Sequence, residues 1–221
     1  MCCVNMSSEP NYRLLARQAI EACSDYVNRL DQAYAARRKM RKRENIPVLA
    51  FCGHGRSGKD QSAEFLAANS SIKYGGSVSR YCLPLVAHAM GEDPEVCWET
   101  RHDNRDFWRE FLDAVRWDDP AMFTRMVLGD ADVITGIRAK AELWTSWGEQ
   151  HIDQIIWVDR PNTPIDPTLQ YSRKDLECLP MGSRQTRGLL VLLNTRDLDN
   201  LEKRVCEIAQ RLGVTLNSEG K

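Results

Sequence analysis

Val48-Leu49-Ala50-Phe51-Cys52-Gly53-His54-Gly55-Arg56-Ser57-Gly58-Lys59-Asp60 is the stretch on which the fold turns. Its first five residues form a short continuous apolar run, the pattern of a parallel strand covered on both faces. Gly53 to Lys59 then follow the spacing G-x-x-x-x-G-K, and Asp60 to Ala68 reads as a helix. Strand, glycine loop and helix in that order make a polyphosphate cradle, a P-loop. Glycines let backbone N–H groups converge on phosphate, and the helix N-terminus adds the positive end of its dipole. Lys59 is placed to bridge the outer phosphates as a point charge. The cradle comprises Gly53, His54, Gly55, Arg56, Ser57, Gly58, Lys59, Asp60 and Gln61. The plainer alternative is a glycine turn beside a surface lysine.

Asp60 stands where a Ser or Thr hydroxyl commonly ligates magnesium. A carboxylate is a hard oxygen ligand, able to hold the ion directly or through water, so Asp60 is the metal candidate. Its charge also suits a helix N-terminus, which makes simple capping the competing role.

Downstream, strands alternate with helices. A second strand is expected from Ile72 to Val78, interrupted by Gly75-Gly76, and a helix from Pro84 to Met90. A long helical stretch from about Asp93 to Leu128 must break at Pro120. Then come strand Asp132 to Arg138, helix Lys140 to Glu149 and strand Ile152 to Val158. Pro161, Pro164 and Pro167 mark an irregular loop lasting to about Gly188, before strand Leu189 to Leu193 and a helix from about Asp197 to Leu212. The alternation predicts an α/β fold with a parallel sheet and right-handed crossovers, over residues 46–215.

Residues 1–45 read as an N-terminal helical extension. Leu14, Leu15, Ala19, Ile20, Ala22, Tyr26, Leu30 and Tyr34 make one apolar stripe, a face on which a second copy could pair. The stripe runs into Arg37-Arg38-Lys39-Met40-Arg41-Lys42-Arg43. That run invites a nucleic-acid reading, but no aromatic platform interleaves with the charges. A solvated helix end opposing the dipole is the better expectation, and it argues against a nucleic-acid partner.

Bulk composition sets bounds. The 221 residues are 43% hydrophobic and 28% charged, enough for one domain with a core and an appendage. Thirty basic and 31 acidic side chains give a net charge of -1, so attraction for phosphate must come from local clusters. Of eight cysteines all but the Cys2-Cys3 pair are far apart and no C-x-x-C occurs, which supplies no compact zinc site and fits reduced thiols in the cytoplasm. No basic leader precedes an apolar run, and no segment reaches the ~18 apolar residues of a membrane span.

A cradle alone does not distinguish kinase, GTPase or motor. No D-x-x-G or N-K-x-D element accompanies it, which argues against a regulatory GTPase. What stands out is arginine, whose planar fork suits phosphate recognition. Arg138 lies at the carboxyl end of one expected strand and Arg160 at the same end of the next, where open α/β sheets bind ligands. With Lys59 they are the catalytic candidates. The loop of about 160–188 carries Arg173, Arg184 and Arg187 and is expected to act as a lid over the phosphates. Tyr81, Trp98 and Trp108 are aromatic candidates for stacking on a base, each better read as a core or surface residue.

These pieces resemble the bacteriophage-type deoxynucleoside monophosphate kinases, within the nucleoside-monophosphate-kinase group of P-loop proteins. The matching elements are Gly53 to Asp60 with its G-K-D ending, and Val133-Ile134-Thr135-Gly136-Ile137-Arg138 followed by Glu142-Leu143. Further on come Trp157-Val158-Asp159-Arg160-Pro161, Asp166-Pro167-Thr168, Leu192-Leu193-Asn194 and Leu198-Asp199-Asn200-Leu201. The resemblance covers roughly residues 47–212. It implies a three-layer α/β/α fold, magnesium dependence, and transfer of the terminal phosphate of ATP to a (deoxy)nucleoside monophosphate. It carries Arg138 over as a substrate-phosphate contact, with Arg105 and Arg116 on the acceptor side. Two departures stand out. Leu83-Pro84-Leu85-Val86 lacks the lysine the family often shows after Pro-Leu, and Gly136 replaces a common acidic residue, leaving the second magnesium contact unassigned. The extension of residues 1–45 lies outside the resemblance. Another small-molecule P-loop kinase and a non-catalytic nucleotide-binding protein remain the alternative expectations.

Overall fold

Successive residues of the central strands belong to two different cores, and this fixes the layering. The computed structural model describes residues 11–179, 189–195 and 197–217. In order, these form α1 (Tyr12–Ala22), α2 (Ser24–Glu44), β1 (Leu49–Cys52), α3 (Lys59–Ala68), α4 (Val78–Met90) and α5 (Pro94–Glu99). A short 3-10 turn (Thr100–His102) leads to α6 (Arg105–Arg116), α7 (Met122–Asp130), β2 (Val133–Thr135), α8 (Lys140–Gly148) and β3 (Gln154–Asp159). The chain ends with α9 (Arg173–Glu177), β4 (Leu190–Leu193) and α10 (Leu198–Arg211).

The four strands are all parallel, in the order β2-β1-β3-β4. Ala50, Cys52, Ile134, Ile155 and Trp157 face one core, shared with α1, α2, α4, α6 and α7. Leu49, Phe51, Val133, Ile156, Val158 and Leu192 face the other, closed by Ala63 and Leu66 of α3 and Leu201, Val205 and Ala209 of α10. Helices therefore cover both faces of the sheet, and both faces must be apolar, which hides the period-two pattern of a strand. From β1 the chain goes to β2 on one side and later to β3 on the other. The crevice where ligands bind in such sheets opens outside the carboxyl end of β1.

Several expectations need correction. Residues 72–77 form no strand: the N–H of Lys73 donates to Asp132 Oδ2 (3.0 Å), and its carbonyl accepts from the amides of Asp132 and Val133 (2.8 and 3.2 Å). Gly76 then turns the chain at φ 114° into α4. That helix begins at Val78, not at Pro84, which sits inside it. An internal proline costs about 3 kcal/mol. Burial of Tyr81, Cys82, Leu83, Leu85, Val86 and Ala87 offsets that cost at roughly 1.5–3 kcal/mol per large side chain. The long stretch expected from Asp93 to Leu128 is three α-helices and a 3-10 turn. The loop after Arg160 is not wholly irregular: Ser172 and Asp175 make a reciprocal capping box that starts α9.

The N-terminal segment is two nearly continuous helices, parted at Cys23. Ala19, Leu30 and Tyr34 of the stripe are buried in the core shared with α4, α6 and α7, and Leu15, Ile20 and Tyr26 pack against it. Most of the stripe that suggested pairing with a second copy therefore packs within the chain, while Leu14 and Ala22 stay exposed. Its basic end is not simply solvated. Arg37 and Arg41, one helical turn apart, point inward to the buried carboxylate of Asp132. Arg37 holds it from Nε and Nη2 (3.1 and 2.7 Å) and Arg41 from Nε (2.7 Å). Arg41 also caps the carbonyls of Leu128 and Ala131 at the end of α7. Among the described residues no helix is long and apolar enough to cross a membrane, and Cys23, Cys52, Cys82, Cys97, Cys178 and Cys206 are free thiols.

Candidate functional site

The glycine loop after β1 is held in a shape that most residues resist. Gly53 has φ 139° and Gly58 φ 100°, while Arg56 adopts the left-handed region at 61°. A Cβ on Gly53 would lie 2.5 Å from the Val158 carbonyl, so β3 abuts the loop directly. α3 starts at Lys59 behind Gly58, which supplies no side-chain cap, so the first N–H groups of α3 are left to a ligand or water. Ser57 Oγ is buried and has no hydrogen-bond partner among the described residues. Lys59 Nζ folds back on the loop and donates to the His54 carbonyl at 2.6 Å. Burial pushes its ammonium below the usual lysine range, with the charge of Asp60 opposing.

Neighbouring elements brace this loop. Asn194, just past β4, donates from Nδ2 to the Ser57 carbonyl at 2.8 Å. Asp166 leans over the opposite side: its N–H donates to His54 Nδ1 (3.3 Å), and its Oδ2 lies 2.9 Å from where a Cβ of Gly55 would be. Arg160 reaches the Arg56 carbonyl at 3.3 Å from an exposed position.

Beside the loop is a cavity of about 150 Å³, lined by Arg101, Arg105, Arg109, Arg116 and Arg138, with His102 and a single acidic side chain, Asp113. Val78, Trp108 and Leu112 form its apolar wall, and Thr168 and Gln170 close it. The structure thus brings Arg105, Arg116 and Arg138 together. Their states differ. Arg116 is buried and tied to Glu142 (2.8 Å) and Asp113 (3.1 Å). Arg138 pairs with Asp166 at 2.5 Å and also donates to Thr168. Arg101 and Arg105 form no ion pair among the described residues; Arg101 donates to the Trp98 carbonyl (2.6 Å) and Arg105 is exposed. Asp166 is held well below the usual carboxylate range; burial opposes this, but the hydrogen bonds from Thr168 and Arg138 prevail.

The other predicted residues lie further out. Arg173 pairs with Glu177 (3.0 Å) and Asp159 (3.7 Å) rather than reaching the loop. Arg184 and Arg187 lie outside the described residues. Tyr81 is packed in the core, and Trp98 is contacted by the guanidinium groups of Arg80 and Arg101 (4.9 and 4.0 Å from its ring centre). Trp108 lines the cavity, and its buried indole N–H has no partner among the described residues.

Asp60 is not alone. Its Oδ1 accepts from Thr135 Oγ1 at 2.5 Å and from the Tyr74 hydroxyl at 3.1 Å, while Oδ2 accepts no hydrogen bond among the described residues. Among those residues no three His, Cys, Asp or Glu side chains gather as a protein-built metal cage would require. Magnesium needs no such cage: one carboxylate suffices when phosphates and water complete its octahedron. The oxygen donors at Asp60 fit that demand.

Thr135, Tyr74, Asp166 and Asn194 are the residues that motif reading passed over. Three of them stood inside quoted motifs, but only folding brings them onto the loop. No family model matches this chain, and no curated protein matches it in sequence.

Proposed function

We propose that the chain is a nucleoside or deoxynucleoside monophosphate kinase that transfers the terminal phosphate of ATP to a (d)NMP. The observation that carries this reading is the Arg138–Asp166 pair, which joins two anion-seeking surfaces. Asp166 touches the glycine loop on one side, and Arg138 enters the arginine-lined cavity on the other. A donor polyphosphate on the loop and an acceptor phosphate in the cavity would meet at that pair.

The chemistry asked of the residues is positioning and charge stabilisation. Backbone N–H groups of the loop and Lys59 hold the outer phosphates of ATP. Arg138, Arg105 and Arg101 receive the monophosphate, and Arg116, neutralised by Glu142, shapes the cavity from its buried place. Magnesium, when bound with the nucleotide near Asp60, neutralises charge between the phosphates. Arg160, exposed and donating to the Arg56 carbonyl of the loop, would supply charge to the transferring group.

The test is ADP release measured by coupled assay with ATP, magnesium and each common (d)NMP in turn. ADP formation that depends on one or a few monophosphates is expected. Failure with all of them would refute this reading, and turnover with a different phosphate acceptor would assign the chain to another class of small-molecule kinase.

A further inference from the structure

Phosphate-binding loops commonly place a hydroxyl at the position of Asp60 and a carboxylate at the end of a neighbouring strand. Here the two chemistries have exchanged places. The loop supplies the carboxylate of Asp60, and β2 ends in the hydroxyl of Thr135, followed by Gly136. The oxygens form a closed triangle: Thr135 Oγ1 to Asp60 Oδ1 is 2.5 Å, Tyr74 Oη to Asp60 Oδ1 is 3.1 Å, and Tyr74 Oη to Thr135 Oγ1 is 3.0 Å.

Two donors on one carboxylate oxygen fix the rotation of Asp60 and leave Oδ2 as its open acceptor. A carboxylate that served only to complement the helix dipole would need neither donor. Both donors are themselves anchored. Thr135 is fully buried and paired in register with Phe51 of β1. Tyr74 follows Lys73, whose backbone is fastened at both its N–H and its carbonyl to Asp132 and Val133. Asp132 is in turn gripped by Arg37 and Arg41 of α2. A continuous path of polar contacts thus runs from the N-terminal helix to the carboxylate at the loop.

Resting on the kinase reading above, we infer that Thr135 and Tyr74 are positioning residues that aim the free oxygen of Asp60 at the metal of the bound nucleotide. The clamp of α2 on Asp132 holds both in place, which gives that helix a part in the site.

Manganese, a paramagnetic stand-in for magnesium, reports the metal directly. Free Mn2+ is titrated by electron paramagnetic resonance against the full chain with ATP, and ATP affinity is measured separately in chelator. Thr135→Val and Tyr74→Phe should each weaken Mn2+ binding by about tenfold, as loss of a group orienting a ligand does, with metal-free ATP affinity unchanged. Thr135→Ser should restore it. Thermal unfolding is followed for each variant, and if Thr135→Val does not fold, Tyr74→Phe decides. Unchanged Mn2+ affinity in the folded variants, or an equal loss of ATP affinity with and without metal, would overturn this inference alone. A wild-type chain that binds no ATP would overturn both it and the kinase reading.

Discussion

Asn194 donates from Nδ2 to the Ser57 carbonyl at 2.8 Å, tying the end of β4 to the glycine loop across the sheet edge. Its own N–H is fixed on the Asp159 carbonyl at 2.7 Å, so the side chain starts from a rigid base. The same amide lies 2.6 Å from where a Cβ of Gly58 would project. Asn194→Ala should cost about 1 kcal/mol of stability, the usual net worth of such a bond. It should also weaken ATP binding several-fold, because the loop loses the strut that keeps its N–H groups convergent. Calorimetric titration with ATP alongside urea unfolding measures both, and unchanged affinity would show that the strut is dispensable.

Lys59→Ala should abolish turnover while the chain stays folded. The ammonium donates to the His54 carbonyl of the loop itself, so the hydrogen bond lost is a local one. Removing one preorganised charge that meets the developing transition-state charge costs roughly 100-fold or more in kcat. Circular dichroism should be unaltered, and near-normal activity in this variant would refute the assignment of the cradle.

How far the sequence could be read follows from the range of each signal. The first strand, the glycine loop and the start of the helix behind it were legible because all three lie within thirteen consecutive residues, Val48 to Asp60. Arg138 was expected at the end of a strand reaching from Asp132, but β2 ends at Thr135 and Arg138 follows three residues later in the loop, so only its side of the sheet was legible. The clamp of Arg37 and Arg41 on Asp132 was not, since its partners lie more than ninety residues apart. A hint existed all the same: Leu30, Tyr34, Arg37 and Arg41 continue one face at steps of four, three and four, so the last two residues of that face were due to be buried. Residues 72–77 misled because apolar and β-branched residues suggest a strand, whereas the backbone of Lys73 spends its hydrogen bonds on Asp132 and Val133. Pro84 misled because burial outweighed a local helix penalty.

Gly53→Ala should be among the most damaging single-methyl changes in the chain. The new Cβ would meet the Val158 carbonyl at 2.5 Å, and a backbone atom of a central strand cannot step aside as a side chain would. The φ of 139° adds strain for any L side chain. Together these should cost roughly 2 kcal/mol or more, lowering the melting temperature and weakening ATP binding in parallel. A melting temperature equal to wild type would mean the loop has another accessible shape.

Asp132 couples stability to acid pH. Burial by itself pushes its carboxyl up, but the hydrogen bonds from Arg37 and Arg41 prevail and hold it below the ordinary range. Because the folded value is depressed, its stabilisation is present above the unfolded value of about 3.9. It is lost as pH falls through the lower folded value. Asp132→Asn strands two inward-facing arginines and should destabilise the chain by about 3 kcal/mol at neutral pH. Below the folded value the wild type is protonated too, so the gap between the two should shrink. Urea unfolding at pH 7 and at progressively lower pH checks this, and a constant gap would show that the clamp owes little to charge.

Arg138 and Asp166 together make the last test, because they separate acceptor binding from donor binding. Arg138 projects into the arginine-lined cavity and is only partly covered, so an incoming monophosphate can compete with Asp166 for its fork. Arg138→Ala should raise the KM for the monophosphate by about tenfold or more, while the KM for ATP changes little, since the cradle's own donors remain. Arg138→Lys should not restore it, because an ammonium lacks the two parallel donors that grip a phosphate. Asp166→Ala should behave differently. It frees Arg138 but also removes the carboxylate that lies against Gly55 of the loop and holds Thr168, so both KM values should move. Equal losses for both substrates in Arg138→Ala would place that arginine on the donor side. The acceptor phosphate would then have to be sought at Arg101 and Arg105, which line the same cavity.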